Sequence, residues 1–359
     1  MRLGVAAALV GGELVDGDVE VVDGRVEAVG VGAPGGSRIV APGFLDLQVN
    51  GFAGVDFSTP GDEGYAVAAA ALLAAGVTAF QPTIVTAALD SMVASLAAVQ
   101  AAGGGAGGRL GAHLEGPFIA PSRPGAHDPS AIVPPDLAAL ETLLAGGAVS
   151  QMTLAPELPG ALDLIDALVA RDITVSLGHT EADAATAHLA FDRGASAVTH
   201  LFNAMRPPAP RDPGIAFAAL ARDDVFITLI VDGHHLADDT VRTAWRAAGE
   251  RLVLISDAVA AASAPDGDYT LGGTVPIHAE GGTVRTADGA LAGSTGSMLD
   301  AVRNSHALGI PLAAALHAAT EAPARMARRR LEPGARADLV VLDDSLELRQ
   351  VLLSGAVVA

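Results

Sequence analysis

A (β/α)8 barrel carrying a small β-sandwich made from both chain ends is the α/β fold this sequence predicts, on three observations. Eight short apolar runs in the middle of the chain are each followed by a longer alanine-rich stretch, and six of them end in polar, ligand-capable residues. Both ends of the chain instead show Gly/Asp turns between valine-rich segments of alternating pattern. Strands apolar on both faces that alternate with helices belong to a parallel sheet with covered faces. Eight such units in a row close on themselves.

From the start, Val19 to Val29 alternates charged and apolar residues around Asp23-Gly24, a tight hairpin turn. Barrel strands are expected at Phe44–Val49, Val77–Val85, Leu110–Leu114, Ser150–Ala155, Ile173–Leu177, Ser196–His200, Val225–Val231 and Leu252–Ser256. Helical stretches lie between them, Ala161–Ala170 and Ala182–Arg193 among them. Beyond the eighth strand, Tyr269–Leu291 reads as hairpins, with turns at Gly272-Gly273, Gly281-Gly282 and Asp288-Gly289. The last residues return to strands, at Leu339–Leu342 and Gln350–Leu353. The expected division is a sandwich of 1–42 with 330–359 and a catalytic barrel of 43–329. The hairpin insertion 262–292 either joins the sandwich or covers the barrel mouth.

Composition narrows the function. The chain of 359 residues has a formal net charge of −20 and no lysine, which disfavours nucleic acid and anionic membranes as partners. An anionic small molecule is not excluded, because it feels only the field of its own pocket. Cysteine is absent, so there is no thiol nucleophile and any metal must be held by His and carboxylates. A cytoplasmic location fits. Gly64 to Leu89 is uncharged, yet Gly76 and Gln81-Pro82 break it into a helix and a strand rather than a membrane span. The apolar start, Met1 to Gly12, lacks a cationic lead and a cleavage pattern, and reads as a strand rather than a signal peptide.

The chemistry gathers where the strands end, which in this fold is the active-site rim. Strand one runs into Gln48-Val49-Asn50, strand three into Glu115, strand five into His179, strand six into His200, strand seven into Asp232-Gly233-His234-His235 and strand eight into Asp257. Singly, each has an ordinary explanation: a rim histidine, or an aspartate capping a turn. Jointly, Glu115, His179 and His200 form a ligand set for one divalent ion, with a position left for water. Zinc suits two imidazoles and a carboxylate best, though iron, manganese or cobalt would accept the same ligands. Asp257, facing the open position, is placed to act as general base and then general acid.

These segments also resemble a known family. His113-Leu114-Glu115-Gly116-Pro117, Gly178-His179-Thr180 and Thr199-His200-Leu201-Phe202-Asn203-Ala204-Met205 are similar to signature blocks of N-acetylglucosamine-6-phosphate deacetylases. So are Arg211-Asp212-Pro213-Gly214, Asp232-Gly233-His234-His235, Ser256-Asp257-Ala258, Leu291-Ala292-Gly293-Ser294 and Thr320 to Arg325. Ala41 to Asp46 and Gly334 to Leu339 resemble the wider amidohydrolase superfamily, so the likeness spans nearly the whole chain. The resemblance implies Glu115, His179 and His200 as metal ligands and Asp257 as acid/base. It implies His127 as the group polarising the acetyl carbonyl. Asn203, Ala204, Arg211, His235 and Ala292 would contact the sugar phosphate, and Arg211 and His235 would reach it across a homodimer interface. Two departures stand out. Gln48-Val49-Asn50 replaces the His-x-His usual in the superfamily, which implies one metal rather than two. His234 precedes His235 where the family usually has an apolar residue, which leaves open the choice of imidazole.

The implied reaction is hydrolysis of N-acetylglucosamine 6-phosphate to glucosamine 6-phosphate and acetate, in amino-sugar recycling. One alternative is another N-acyl amino-sugar phosphate, such as N-acetylgalactosamine 6-phosphate, which shares the phosphate clamp. The other is a non-catalytic sugar-phosphate-binding barrel; the metal content of the purified protein discriminates it.

Overall fold

A computed structural model describes residues 1–32, 36–102, 108–328 and 334–359. The parallel strands are β1 Phe44–Val49, β2 Val77–Val85, β3 Ala112–Glu115, β4 Val149–Leu154, β5 Thr174–Leu177, β6 Ala197–Val198, β7 Phe226–Leu229 and β8 Leu252–Leu254. They pair in that order. The ring closes where the Asp257 N–H donates to the Gln48 carbonyl at 3.0 Å and Val49 bridges Ala258 in parallel. The structure is therefore the (β/α)8 barrel that the alternation of strands and helices predicts.

Helices α1 Gly61–Ala74, α2 Leu89–Ala101, α3 Leu137–Leu144, α4 Ala161–Val169, α5 Ala184–Asp192, α6 Gly214–Leu220, α7 Asp238–Ala248 and α8 Met298–Ala307 each follow the strand of the same number. β2 is buried at every position, as expected of a strand covered on both faces. α7 buries Val241, Ala244, Trp245 and Ala248, the single stripe of an amphipathic surface helix. α8 opens on a capping box between Ser297 and Asp300.

Several strands are shorter than the apolar runs that encode them. β6 stops at Val198 and β8 at Leu254; Thr199 and Ile255 still donate to backbone carbonyls of the neighbouring strand, and the donors after them turn to side chains. The His200 N–H bonds Thr228 Oγ1 at 2.8 Å and the Ser256 N–H bonds Asp46 Oδ1 at 3.2 Å. The chain there leaves extended geometry: φ is +50° at His179, +32° at His200 and +49° at Asp257. Non-glycine residues rarely occupy that region, and such strain gathers at functional sites.

The two chain ends build one six-stranded sheet. Its order is Glu13–Asp16, Ala7–Val10, Ile39–Pro42, Leu339–Leu342, Leu348–Leu353 and Ala356–Val357. The hairpin of Asp18–Val22 and Arg25–Val31 packs on it through a core of its own, including Val5, Val19, Val21, Val40, Val341 and Leu352. Asp23 and Gly24 both have positive φ, as a two-residue primed turn requires. The expected boundary between 329 and 330 lies outside the described residues.

The insertion after β8 forms a four-stranded antiparallel sheet, Gly267–Leu271, Val275–Glu280, Thr283–Thr286 and Leu291–Ser294. It packs over the barrel mouth, where Leu271, Ile277, Val284 and Ala292 share a core with Val85 and Val259. Among the described residues no helix is long and apolar enough to cross a membrane.

Candidate active site

Glu115 ends β3 and is buried. Its Oε1 lies 3.0 Å from His200 Nε2 and 3.3 Å from His179 Nε2, and its Oε2 lies 3.5 Å from His127 Nε2. The two histidines face each other, Nε2 to Nε2, at 3.1 Å. Burial alone would push the Glu115 carboxyl up. The three imidazoles gathered around it, those of His127, His179 and His200, outweigh it and hold the group well below the usual carboxylate range.

The tautomer of His179 follows from its neighbour. Its Nδ1 lies 2.9 Å from the carbonyl of Arg123, which can only accept, so Nδ1 carries the proton. Burial, reinforced by His127, lowers the ring's pKa to about 4, so the neutral ring aims an Nε2 lone pair at a carboxylate oxygen and a second imidazole. That convergence is repulsive with nothing positive between the groups. The three ligand atoms all lie within 4.8 Å of one another. Two imidazole nitrogens and one carboxylate oxygen in that arrangement fit a divalent ion.

Asp257 sits just past β8. Burial, then the charge of Glu115, raises its carboxyl to about 6, a value suited to accepting and returning a proton near neutrality. Its Oδ1 accepts from Gln48 Nε2 at 3.0 Å and Asn50 Nδ2 at 2.8 Å. Beneath it, Asp46 in β1 accepts the Ser256 hydroxyl, and burial lifts the Asp46 carboxyl to about 7.

Glu115, His127, His179, His200, Asn203, Ala204, His235 and Asp257 all line one cavity of 230 Å³. His127 reaches it from the loop after β3, its ring 4.5 Å from that of His179 between centroids. Thr86 Oγ1 donates to the Glu115 carbonyl at 2.9 Å, so it can only accept from His127 Nδ1, also at 2.9 Å. Gly125 crosses at φ +56°, where a Cβ would stand 3.0 Å from His179 Cε1.

Two expected contacts lie elsewhere. Ala292 is fully buried in the core of the hairpin sheet, while Leu291 and Gly293 line the cavity. Strand alternation is the reason: neighbours of a residue facing the site face away from it. Arg211 is exposed on the loop before α6, outside the cavity. The choice between the paired histidines has a geometric answer, since His235 lines the cavity and His234 lines a separate polar pocket with Asp300 and Asn304.

Sequence reasoning missed four supporting residues: Thr86, Asp232, and the amides of Gln48 and Asn50, which it weighed only as non-ligands. The signal available for the amides was their spacing with Asp46, at alternate positions along one strand.

A model of the amidohydrolase family matches residues 39–358. N-acetylglucosamine-6-phosphate deacetylase of Bos taurus is 41% identical over 345 residues, covering 90% of this chain and 84% of that protein. N-acetylgalactosamine-6-phosphate deacetylase of Escherichia coli O157:H7 is 39% identical over 334 residues, covering 89% of this chain and 87% of that protein. Among solved structures, an aspartate-to-alanine mutant of the Mycobacterium smegmatis N-acetyl-D-glucosamine-6-phosphate deacetylase, in complex with N-acetyl-D-glucosamine-6-phosphate, superposes with a TM-score of 0.94 at 38% identity. That match covers 99% of this chain and 98% of the other.

Proposed function

The chain belongs to the amidohydrolase family, and on that premise we propose that it hydrolyses the N-acetyl amide of N-acetyl-D-glucosamine 6-phosphate, releasing glucosamine 6-phosphate and acetate. The observation that carries the proposal is the convergence of Glu115, His179 and His200 beside a carboxylate, Asp257, tuned to about 6. Those three residues would hold one divalent ion, and zinc is the ion their chemistry favours. Bound there, the ion supplies Lewis acidity toward the amide carbonyl and makes water more acidic.

The chain's own residues do the rest. Asp257 takes the proton of the attacking water and delivers it to the nitrogen on C2 as the C–N bond breaks. His127 offers Nε2 toward the carbonyl oxygen; with its Nδ1 proton committed to Thr86, it donates there only as the imidazolium. His235, with the loop of Asn203 and Ala204, receives the sugar phosphate. Arg211 forms no hydrogen bond or ion pair among the described residues, which suits a guanidinium that clamps phosphate in a partner's cavity; the reading includes a homodimer. It also includes a cytoplasmic location, since a phosphorylated sugar does not cross a membrane unaided.

The test is acetate release from N-acetyl-D-glucosamine 6-phosphate, with metal quantified and with Asp257→Asn beside the wild type. Rapid release by the wild type and its loss in a metal-replete mutant are expected. A fully metallated wild type that releases no acetate sinks the assignment. The Escherichia coli relative supports a second substrate, N-acetylgalactosamine 6-phosphate, and the ratio of kcat/KM values for the two epimers decides between them.

A further inference from the structure

Strand β1 sends side chains from alternate positions toward the segment that follows β8. Asp46 reaches Ser256, while Gln48 and Asn50 reach Asp257. Residues two apart on a strand share a face, so this row is a direct product of the β1 register. Gln48 does more than its neighbours. Its Nε2 donates to Glu115 Oε1 at 2.9 Å and to Asp257 Oδ1 at 3.0 Å, bridging a metal ligand and the acid/base. Asn50 Nδ2 adds a second donor, at 2.8 Å, to the same Oδ1.

The orientation of the Gln48 amide is not arbitrary. Turned over, it would press a carbonyl oxygen against two carboxylate oxygens. Holding both amides this way leaves Gln48 Oε1 and Asn50 Oδ1 buried without a partner. Buried acceptors with no donor are rare in folded proteins because each forfeits its hydration. Two of them two residues apart at the end of β1, each on an amide whose N–H end faces a site carboxylate, reflect a demand of the chemistry rather than of packing.

We propose that Gln48 and Asn50 are positioning residues for the acid/base, acting through Asp257. Together they occupy Oδ1 and so present Oδ2 to the substrate; Gln48 also fixes the spacing between that carboxylate and Glu115. Neutral amides do this without adding a charge next to the base, as a cation held by a histidine pair at the same positions would. The inference rests on the reading of Asp257 as the acid/base in the proposed reaction.

The test uses the metal-loaded protein and two variants, Gln48→Met and Asn50→Leu, which remove the donors at nearly constant volume. Each is assayed for acetate release from N-acetyl-D-glucosamine 6-phosphate and for bound metal, and Asn50→Leu is crystallised. Expected are wild-type metal content, KM within about threefold, and kcat lower by ~10²-fold, the scale of a misplaced catalytic group. The Asp257 carboxylate should also be rotated from its wild-type orientation. A kcat within about threefold of wild type in both variants overturns the proposal. So does an unmoved Asp257 carboxylate, or a loss of metal from Asn50→Leu that matches its loss of activity. If Gln48→Met does not fold, Asn50→Leu, which touches no metal ligand, decides alone. A wild type inert on this substrate would count against the proposed function instead, and the orientation of Asp257 in the crystal would still judge the positioning role.

Discussion

The Nδ1 of His235 lies 2.7 Å from Oδ2 of Asp232, while Oδ1 of the same carboxylate accepts the backbone N–H groups of His234 and His235, each at 2.9 Å. Burial would raise this carboxyl, but the bond and charge of His235 and the two backbone donors together outweigh it and hold the pKa at about 2. One anion therefore fixes both the loop after β7 and the face of the imidazole that lines the cavity. Replacing Asp232 by Asn removes the charge from that bond. KM for the sugar phosphate is expected to rise about tenfold or more, as befits a charge-assisted hydrogen bond. His234→Ala, whose ring lies outside the cavity, should leave KM within about twofold. Equal effects from the two variants would contradict this division of labour.

Asp257 is a base only when ionised. With its carboxyl raised to about 6, kcat/KM should fall tenfold per pH unit on the acid side, with a midpoint at or below that value because a bound cation favours the charged form. Asp257→Asn should abolish this limb and reduce kcat by ~10²–10⁴-fold. A pH–rate profile of both proteins checks it.

Thr86 links the carbonyl of Glu115 to the ring of His127 through one hydroxyl. Thr86→Val keeps the shape and removes both bonds, leaving two polar groups unpaired at roughly 1–3 kcal/mol each. Activity should fall by about tenfold or more, with Thr86→Ser close to wild type. Parity of Val and Ser would show that the hydroxyl does not orient His127.

Asp46 offers a prediction about stability. Its carboxyl rises from 3.8 to about 7 in the folded protein, chiefly through burial. A raised carboxyl contributes stability that is fully present below its unfolded pKa and is lost as pH rises through the folded value. Asp46→Asn should therefore look less favourable at pH 5, where the native group is neutral, than at higher pH. It should gain on the wild type by pH 8, by about 2–3 kcal/mol relative to pH 5. Urea melts of both proteins at the two pH values, in one metal state, measure the difference. A gap that does not change with pH would mean that Asp46 is not buried as a titrating acid.

What was legible in the sequence follows from how each group works. Glu115, His179 and His200 stand out because few residue types bind metals and because a strand's end is a definite address. Gln48, Asn50, Thr86 and Asp232 did not, since amides, hydroxyls and turn aspartates are common and their meaning lies in what stands opposite. Gln48 meets Glu115 67 residues away and Asp257 209 residues away, pairings that no local pattern encodes. Ala292 shows the converse. A motif located the correct strand, but the side-chain period of two placed Leu291 and Gly293, not Ala292, in the cavity. The strand ends near His200 and Asp257 were overextended in prospect because their left-handed backbone has no signature in apolar runs.

The six-stranded sheet carries a consequence in time. Ile39–Pro42 is flanked on one side by Ala7–Val10 and on the other by Leu339–Leu342, so one of its neighbours is synthesised some three hundred residues after it. On the ribosome, at ~5–20 residues per second, the N-terminal segment waits with an open strand edge while the whole barrel is made. An unpaired edge is a template for association with other chains. The strand at Leu339–Leu342 thus closes one made long before it, and a chain cut short before Leu339 would reach the cell with its barrel sequence made and that earlier edge still adhesive.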